Sequence, residues 1–434
     1  MIADMTITAA HVFRGVGGIL GLIGIAWLLS SNRRGFPIRT VVGGLILQWV
    51  LALAVLHTNV GQGAMTGLAH AVQTILLATG EGSRFIFGNL IDDTGAWGYI
   101  FLVQVIPPII VFSAISAIGY HLGILQWVVG LLAKVMVRLL GVSGAEGLAS
   151  AGNIFVGQTE APLFVRPYIS RMTQSELMAM MVCGFATVAS GPLAAYIAIV
   201  AGEDPARRVE VARHFLTACL MSAPAAFVIA KVMLPESETP ETGGDAKVEV
   251  KTESRNVIHA AAIGTTDGVM LAINVVAMLI VFIALITLVD YSLVWLGGFQ
   301  FMQPVLDMIG TDKLNLAAIL GVVFYPIAFL IGIEAPDRAT FGSLLGVAMS
   351  TNEFLAYKQL RGMIDAELIS ERTVRIATYC LCGFANFSSI AIQIGGIGVL
   401  APDRKADLAR LGPRAMLGGA MACWMTGTIA GVLT

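Results

Sequence analysis

The sequence GNIFVGQTEAP at residues 152–162 decides how the whole chain is interpreted, and we term it the first tip. It places two amides, a hydroxyl and a carboxylate, on Asn153, Gln158, Thr159 and Glu160, between small residues in a strongly apolar region. A carboxylate at membrane depth costs about 2.5–3.5 kcal/mol even on lenient insertion scales, and intramembrane ionisable groups usually serve a function. We therefore interpret the first tip as part of a solute site.

A similar concentration of polar residues lies in the other half of the chain. Thr351, Asn352 and Glu353, termed the second tip, are followed by Asn386 and Ser389 in the next apolar stretch. We predict that the two tips meet near the middle of the membrane and form one site.

The composition is that of a polytopic membrane protein. Of 434 residues, 57% are hydrophobic and 12% are charged, whereas soluble domains are typically about 25% charged. The net charge of −2 gives no indication of nucleic-acid binding, so no such partner is expected. The 48 glycines suit close helix packing and interrupted helices in lipid, and the five cysteines lie in apolar runs as packing residues.

Hydropathy predicts about eight transmembrane helices, because eight apolar stretches approach or exceed the ~20 residues that a crossing needs. They are Ala9–Ser30, Val41–His57, Tyr99–Tyr120, Met178–Val200, His214–Leu234, Val269–Leu296, Thr373–Leu400 and Ala415–Leu433. Arg33, Arg34 and Arg39 fill the loop between the first two stretches. The positive-inside rule therefore places this loop in the cytoplasm and the N-terminus outside.

Three further segments have a helical pattern but are weaker candidates for crossing. Ala64–Thr79 is too polar to face lipid and is either interfacial or packed inside the bundle, whereas the amphipathic Leu122–Leu140 is expected on the cytoplasmic face. Leu314–Ile333, interrupted at Tyr325-Pro326, is either a short span or an interfacial helix. The polar stretches are expected to be loops or linkers, namely Gly202–Arg213, Glu236–Asn256 and a cytoplasmic loop carrying Arg404, Lys405, Arg410 and Arg414.

Each tip lies in a segment that is too short for two crossings. Roughly fifteen residues lead from Gly141 into Gly157–Pro162, the more polar part of the first tip, and as a helix they span only about 22 Å of the ~30 Å hydrocarbon core. Gly141–Met172 and Ala339–Gly362 are therefore predicted to be re-entrant hairpins with polar ends. The same Cys-Gly-Phe-Ala core follows each hairpin, at residues 183–186 and 382–385. In the predicted topology the two copies run in opposite directions, which makes an inverted repeat.

The side chains of the first tip suit recognition of a planar heterocycle. Gln158, Thr159 and Glu160 provide a donor/acceptor amide, a hydroxyl and an anionic acceptor on adjacent residues. The alternative is that they bond to unpaired backbone at the hairpin end, although an amide or hydroxyl would do so without burying a charge.

The second tip suits recognition of a sugar. Glu353 can accept two hydrogen bonds from a vicinal diol, with Asn386 and Ser389 holding the same sugar. The alternative is that Asn352 and Asn386 only join helices.

A cation site is predicted beside the first tip. Asn153, the carbonyls near Val156, and the Thr187 hydroxyl with nearby carbonyls would supply hard oxygen ligands where two helices break, an arrangement that binds Na⁺ in transporters. The alternative for Thr187 is a hydrogen bond to its own i−4 carbonyl.

Catalysis is not expected. Ser190 lies in a Val-Ala-Ser-Gly sequence, but no histidine or other base is evident on a neighbouring span. The alternative to a secondary transporter is a channel or facilitator. The sequence lacks the repeated charged or carbonyl ring that forms a selectivity filter.

These motifs resemble the concentrative nucleoside transporter family over nearly the whole chain. The matching residues are Gly157–Leu163, Arg166–Tyr168, Gly184–Ala189, Asn352–Tyr357, Gly383–Asn386 and Ser389-Ile390. The charged sequence from Ile333 to Arg338, before the second hairpin, departs from the family pattern.

The resemblance implies a role for each candidate residue. Gln158, Thr159 and Glu160 would face the nucleobase, and Glu353, Asn386 and Ser389 the ribose, with Phe384 packed nearby. The implied ligands of a coupling Na⁺ are Asn153, Val156, Thr187 and Val188.

The resemblance also implies a homotrimer, in which each protomer has eight spans and two opposed re-entrant hairpins. In that arrangement Val269–Leu296 lies against the neighbouring protomers at the trimer axis. Leu314–Ile333 is then an external interfacial helix. The expected segments are N-terminal scaffold spans (1–120), a cytoplasmic interfacial helix (121–140), the first repeat (141–234), a cytoplasmic linker (235–268), a long scaffold helix (269–298), an external interfacial segment (299–336) and the second repeat (337–434).

The sequence as a whole predicts an all-α polytopic protein of the plasma (inner) membrane, and the resemblance implies a secondary transporter. By that resemblance it would import nucleosides such as uridine, cytidine or adenosine by Na⁺ symport, with an elevator-like movement of the two-hairpin unit. H⁺ coupling remains the alternative.

Overall fold

A computed structural model of the protein describes residues 9–91, 100–202, 204–243, 254–304, 306 and 312–433. Within these residues the regular structure is helical, and seven stretches are long and apolar enough to cross a membrane. This agrees with the predicted all-α polytopic membrane protein. The helices are α1 Ala9–Leu28, α2 Ile38–His57, α3 Asn59–Phe87, α4 Phe101–His121, α5 Ile124–Leu140, α6 Gly144–Asn153, α7 Arg166–Ile169, α8 Gln174–Ala186, α9 Ser190–Ala201, α10 Pro205–Met233, α11 Val257–Gly297, α12 Leu316–Ile331, α13 Arg338–Ser350, α14 Glu353–Asp365, α15 Glu371–Cys380, α16 Phe387–Leu400 and α17 Lys405–Leu433.

The order of elements repeats in the two halves of the chain. A helix pair with a non-helical end (α6 and α7), an interrupted helix (α8 and α9) and a long helix (α10) are followed later by the equivalent α13–α14, α15–α16 and α17. The halves interlock, because α8 packs against α17 and α15 packs against α10. Close approach requires glycine at one such crossing, where a Cβ on Gly419 would lie 2.3 Å from the Phe185 Cβ.

The helices form an inner group surrounded by an outer one. The spans at 174–201, 205–233 and 402–433 are buried over most of their length, whereas at most 39% of each candidate span in α1, α2, α4 and α11 is buried. Apolar side chains on a fully buried helix need no polar face, so the predominantly apolar parts of α8 and α10, at residues 177–186 and 215–230, suit an interior position.

The interrupted helices correct two of the predicted spans. Met178–Val200 is divided by an extended segment at residues 187–189, and Thr373–Leu400 is divided at residues 381–386. Thr187 has extended backbone angles and ends α8, whereas Asn386 caps the start of α16 by accepting a hydrogen bond from the Ser389 N–H. Hydropathy could not detect either interruption, because apolar residues continue through both.

Several predicted loops are helical. Asp204 caps α10 and Pro205 begins it, so the predicted Gly202–Arg213 loop is wrong from Pro205 onward. Arg410 and Arg414 lie on α17 rather than in a loop. The helix α12 continues through Pro326, as membrane helices can when neighbours compensate for the missing N–H.

The predicted linker at 235–268 is also corrected. Residues 257–268 belong to α11 and are therefore helical. Residues 244–253 of the linker lie outside the described residues. Tyr99 and Glu203, which belong to other predicted segments, lie outside them as well. The part before the gap is docked rather than free, because the Thr242 carbonyl and hydroxyl oxygens accept hydrogen bonds from the N–H groups of Gly144 and Ala145.

Two of the weaker candidates for crossing, in α3 and α5, each pack along one face. Ala64–Thr79 lies within the longer α3, which contacts α2, α4 and α10 and leaves its other face exposed. In α5 the buried Val129, Ala133, Met136 and Leu140 share one face, and Lys134 is exposed on the opposite side. The predicted amphipathic character of α5 is therefore present.

The charged sequence before the second hairpin has a structural role. Asp337 accepts hydrogen bonds from the backbone N–H and the hydroxyl of Ser370, at 3.1 and 2.9 Å. Because Ser370 caps α15, this contact joins the start of the hairpin to the start of the following helix.

A buried ion pair holds the start of the first hairpin. Lys231 of α10 contacts the carboxylate of Glu146, which is 1% exposed and also forms a capping box with Ser143. Lys231 donates a further hydrogen bond to Ser175. Breaking one partner of such a pair leaves an uncompensated buried charge.

We expect Lys231→Met to lower the free energy of unfolding by about 3–5 kcal/mol, because the Glu146 carboxylate would lose its cation. Thermal unfolding of the purified protein in detergent measures this effect. Lys134→Met, the same change at an exposed position, is the control, and Lys231→Met with Glu146→Gln should recover much of the loss. Equal stability of the two lysine variants would contradict the prediction.

Candidate functional site

The second tip holds its carboxylate in a buried position. Asn352 caps α14 by accepting a hydrogen bond from the Leu355 N–H, which places Glu353 in the first turn. Glu353 is 4% exposed, and each oxygen has a donor: the Tyr196 hydroxyl at 2.6 Å and the Asn386 Nδ2 at 2.8 Å. Hydrogen bonds to a charged acceptor of this kind are short and strong.

Asn386 uses both ends of its amide. Its Oδ1 accepts hydrogen bonds from the Ser389 N–H and the Ser388 hydroxyl, at 2.9 and 2.6 Å, which leaves its Nδ2 to donate to Glu353. The structure therefore brings together Glu353, Asn386 and Ser389, the three residues predicted to contact a sugar. The predicted Phe384 lies partly buried in the interruption that precedes α16.

Tyr196 was not predicted from the sequence. It belongs to α9 in the first repeat, and its ring packs among Phe215, Phe354 and Tyr357, with centroid distances of 6.2, 4.6 and 4.8 Å. The available signal was a tyrosine in an otherwise apolar helix, since a buried phenol hydroxyl usually finds a hydrogen-bond partner.

The first tip contacts α16 of the second repeat. Gln158 accepts a hydrogen bond at its Oε1 from the Gln393 Nε2, at 2.9 Å. Thr159 packs on Gly396, where an added Cβ would lie 2.9 Å from the Thr159 Cγ2. Gln393 and Gly396 are three residues apart and so share one face of α16. Gln393 was also missed, although it is the single amide in the apolar stretch 387–400.

The two predicted carboxylates have different environments. Glu160 is exposed, whereas Glu353 is buried, and the described residues show no contact between them. Gly157 has a φ of +108°, and an added Cβ there would lie 3.0 Å from the Glu160 Oε2 and 2.8 Å from the Ala189 Cβ. The tip therefore turns sharply at a glycine and lies directly against the interruption between α8 and α9.

The predicted cation ligands lie around this interruption. Asn153 ends α6 and is 1% exposed, and neither its Oδ1 nor its Nδ2 has a hydrogen-bond partner within the described residues. Val188 is buried and Val156 is partly buried. Thr187 donates a hydrogen bond to the Cys183 carbonyl, at 2.9 Å, as the alternative interpretation expected, but its oxygen retains lone pairs for a cation.

The unpartnered amide of Asn153 is the feature that fits a ligand. A buried polar group without a hydrogen bond is costly, so native proteins rarely keep one without a reason. An oxygen donor at the end of a helix, beside a second helix interruption, is suited to a hard monovalent cation.

The helix α16 connects the two tips. Asn386 at its start holds Glu353, and Gln393 holds Gln158 about two turns later. Seven residues of helix correspond to about 10 Å, so one rigid element sets the spacing between the two polar groups. Each hairpin end thus lies against an interrupted helix. This arrangement is typical of secondary transporters with repeated halves.

Family models match almost all of this chain. The description "Na+ dependent nucleoside transporter N-terminus" matches residues 17–90, "Nucleoside recognition" matches residues 102–203, and "Na+ dependent nucleoside transporter C-terminus" matches residues 214–431. The chain belongs to the concentrative nucleoside transporter family. The resemblance predicted from the motifs is therefore confirmed.

Related proteins are named as transporters, so this chain is a transporter and not an enzyme. An uncharacterized transporter of Haemophilus influenzae is 40% identical over 97% of both chains. Nucleoside permease NupC of Helicobacter pylori is 36% identical over 96% of both chains. Sodium/nucleoside cotransporter 2 of Rattus norvegicus is 36% identical over 96% of this chain, which spans only 62% of the length of that relative.

Solved structures support the same fold. CNTnw in an inward-facing substrate-bound state superimposes with a TM-score of 0.87 at 36% identity, over 98% of this chain and 99% of that one. A CNTnw variant in an outward-facing state gives a TM-score of 0.85 at 35% identity, over 98% of both chains.

Proposed function

We propose that this protein imports nucleosides by Na⁺ symport, with both tips contacting one solute. The observation that carries this proposal is the pair of contacts made by α16, which joins Glu353 through Asn386 and Gln158 through Gln393. One helix thereby holds a carboxylate suited to a diol and an amide suited to a heterocycle, from positions about 10 Å apart along its axis. A nucleoside has these two groups in one molecule.

Each end of the solute has its own set of side chains. Gln158, Thr159 and Glu160 contact the nucleobase, and the exposed Glu160 is accessible to an arriving solute. Glu353, Asn386 and Ser389 contact the ribose, and Phe384 packs beside it. The Tyr196 and Asn386 hydrogen bonds keep the Glu353 carboxylate fixed, so little side-chain freedom is lost on binding.

The coupling cation would bind beside the first tip. Asn153, the Val156 carbonyl, Thr187 and Val188 supply oxygens there, and a bound Na⁺ would order the tip before the solute arrives. One charge crossing about 100 mV contributes ~2.3 kcal/mol. A tenfold Na⁺ gradient adds ~1.4 kcal/mol, so that accumulation of several hundred-fold is within reach.

The alternating access would be elevator-like. A cavity of about 1050 Å³ is lined by α4 and α11 and by α9 and α14, with Leu102 and Ile280 on one side and Ala198 and Phe354 on the other, although α4 also packs directly on α9. Open space along this boundary would let the unit carrying both tips slide against the outer helices.

We also propose a homotrimer with α11 near its axis. This helix is 41 residues long, and apolar side chains such as Ile273, Ile280 and Leu288 are exposed along it. A long apolar face left open by its own chain suits contact with a second copy or with lipid.

Uptake of radiolabelled uridine and adenosine into proteoliposomes tests the transport proposal. We expect accumulation above the outside concentration with an imposed inward Na⁺ gradient, and equilibration without it. The same uptake is measured with a pH gradient imposed in place of the Na⁺ gradient. Accumulation driven by the pH gradient and not by Na⁺ would indicate H⁺ coupling, and equilibration under every condition would indicate a facilitator.

Glu353→Gln tests the assignment of the sugar contact. The amide keeps the shape but replaces an anionic acceptor, so uridine binding should fall by about 10²-fold or more, as when a charged hydrogen bond is lost. Binding of 2′-deoxyuridine, which lacks one hydroxyl of the diol, should fall much less. Equilibrium binding of both nucleosides to purified protein measures the difference, and equal losses would remove the diol assignment.

Asn153→Ala tests the cation site. Removal of this oxygen donor should raise the Na⁺ concentration for half-maximal uptake by about tenfold or more, since one ligand is lost. Asn315→Ala, which removes the cap of α12, is the control. Unchanged activation by Na⁺ in the Asn153 variant would exclude this residue as a ligand.

A further inference from the structure

One buried amide outside the proposed solute contacts has a specific geometry. Gln393 is 0% exposed and donates hydrogen bonds from one atom, Nε2, to both the Gln158 Oε1 and the Met181 carbonyl. Resting on the proposed function, we infer that Gln393 is a positioning residue that orients the Gln158 amide so that its N–H groups face the nucleobase.

The orientation follows from the chemistry of the three groups. A backbone carbonyl can only accept a hydrogen bond, so the Gln393 atom that lies 3.1 Å from the Met181 oxygen has to be the nitrogen. The Gln158 atom 2.9 Å from that nitrogen is then an acceptor, which is its Oε1. The remaining polar atom of Gln158, its Nε2, makes no hydrogen bond within the described residues and is a donor.

The packing around the pair leaves little room for another arrangement. A Cβ on Gly184 would lie 2.7 Å from the Gln393 Nε2 and 3.0 Å from the Gln158 Cβ. Thr159 is held against Gly396 on the same face of α16. The absence of a side chain at residue 184 therefore lets the two amides meet.

Stability alone does not account for Gln393. Its Oε1 is buried without a hydrogen-bond partner within the described residues, which lowers the stability of the fold. An apolar side chain of similar size, such as methionine, would avoid this cost in the interior. The contact with Gln158 is what the amide adds at this position.

The fixed orientation restricts what the first tip can recognise. An N–H donor at Gln158 pairs with a carbonyl oxygen or a ring-nitrogen lone pair of the base, and disfavours an amino group at the same place. The substrate class is therefore nucleosides whose base presents an acceptor there.

Thio-substituted nucleosides test this inference, because sulfur replaces a carbonyl oxygen with a poor acceptor of similar shape. For the wild-type protein we expect at least one of 2-thiouridine and 4-thiouridine to show a KM about tenfold above that of uridine, with kcat nearly unchanged. We call the KM of the thionucleoside divided by the KM of uridine the thio ratio. In Gln393→Met the thio ratio should fall close to one. Gln158→Ala should give the same fall, and the double variant no further change.

Two more variants keep the result interpretable. Gln393→Leu removes the amide with a second apolar side chain, so Gln158 loses the same donor as in Gln393→Met, and the thio discrimination again disappears. Gln48→Met makes the same change at another fully buried amide, which is bonded to Thr426, and should leave the ratio unaltered.

The outcomes separate the two proposals. Absence of saturable uridine uptake by the wild-type protein would refute the proposed function. Uptake with an unchanged thio ratio in Gln393→Met, or additive effects in the double variant, would refute the positioning role of Gln393 alone.

Discussion

Burial of the Glu353 charge is the constraint on which the rest of the site depends. A carboxylate removed from water is tolerated only where its oxygens receive hydrogen bonds. Here one donor, Tyr196, belongs to the first repeat and the other, Asn386, to the second. Tyr196 lies in the helix that follows one interruption, and Asn386 is the last residue of the other. The second tip therefore reaches its final geometry only when both halves of the chain are assembled.

The helix α16 extends this dependence to the first tip. Its capping residue holds one tip, and its second turn holds the other through Gln393 and Gly396. The two residues of α16 that hold the tips therefore lie about 10 Å apart along one helix, at a spacing that is set by backbone geometry. The buried pair of Lys231 and Glu146 anchors the far end of the first hairpin. Both ends of that hairpin are thus fixed by residues distant in sequence.

Much of the site was predictable because charged and amide side chains are conspicuous in an apolar chain. Glu353, Asn386 and Ser389 were predicted together and lie together. Tyr196 and Gln393 were missed, since a single tyrosine or glutamine in an apolar helix is equally typical of ordinary packing. Both Glu160 and Glu353 were expected at membrane depth, yet Glu160 is exposed and Glu353 is buried. The exposure of each side chain depends on what the rest of the fold places over its tip.

The sequence by itself determined the class of protein, the family, the repeat and the polar identity of both tips, because these follow from composition, hydropathy and short motifs. Only the tertiary structure decided where apolar helices are interrupted and which partner each polar group has. Those partners lie 157 and 235 residues apart for Tyr196 with Glu353 and for Gln158 with Gln393. Hydrogen bonds between residues so far apart depend on how the helices pack against one another, and local sequence patterns do not determine that packing.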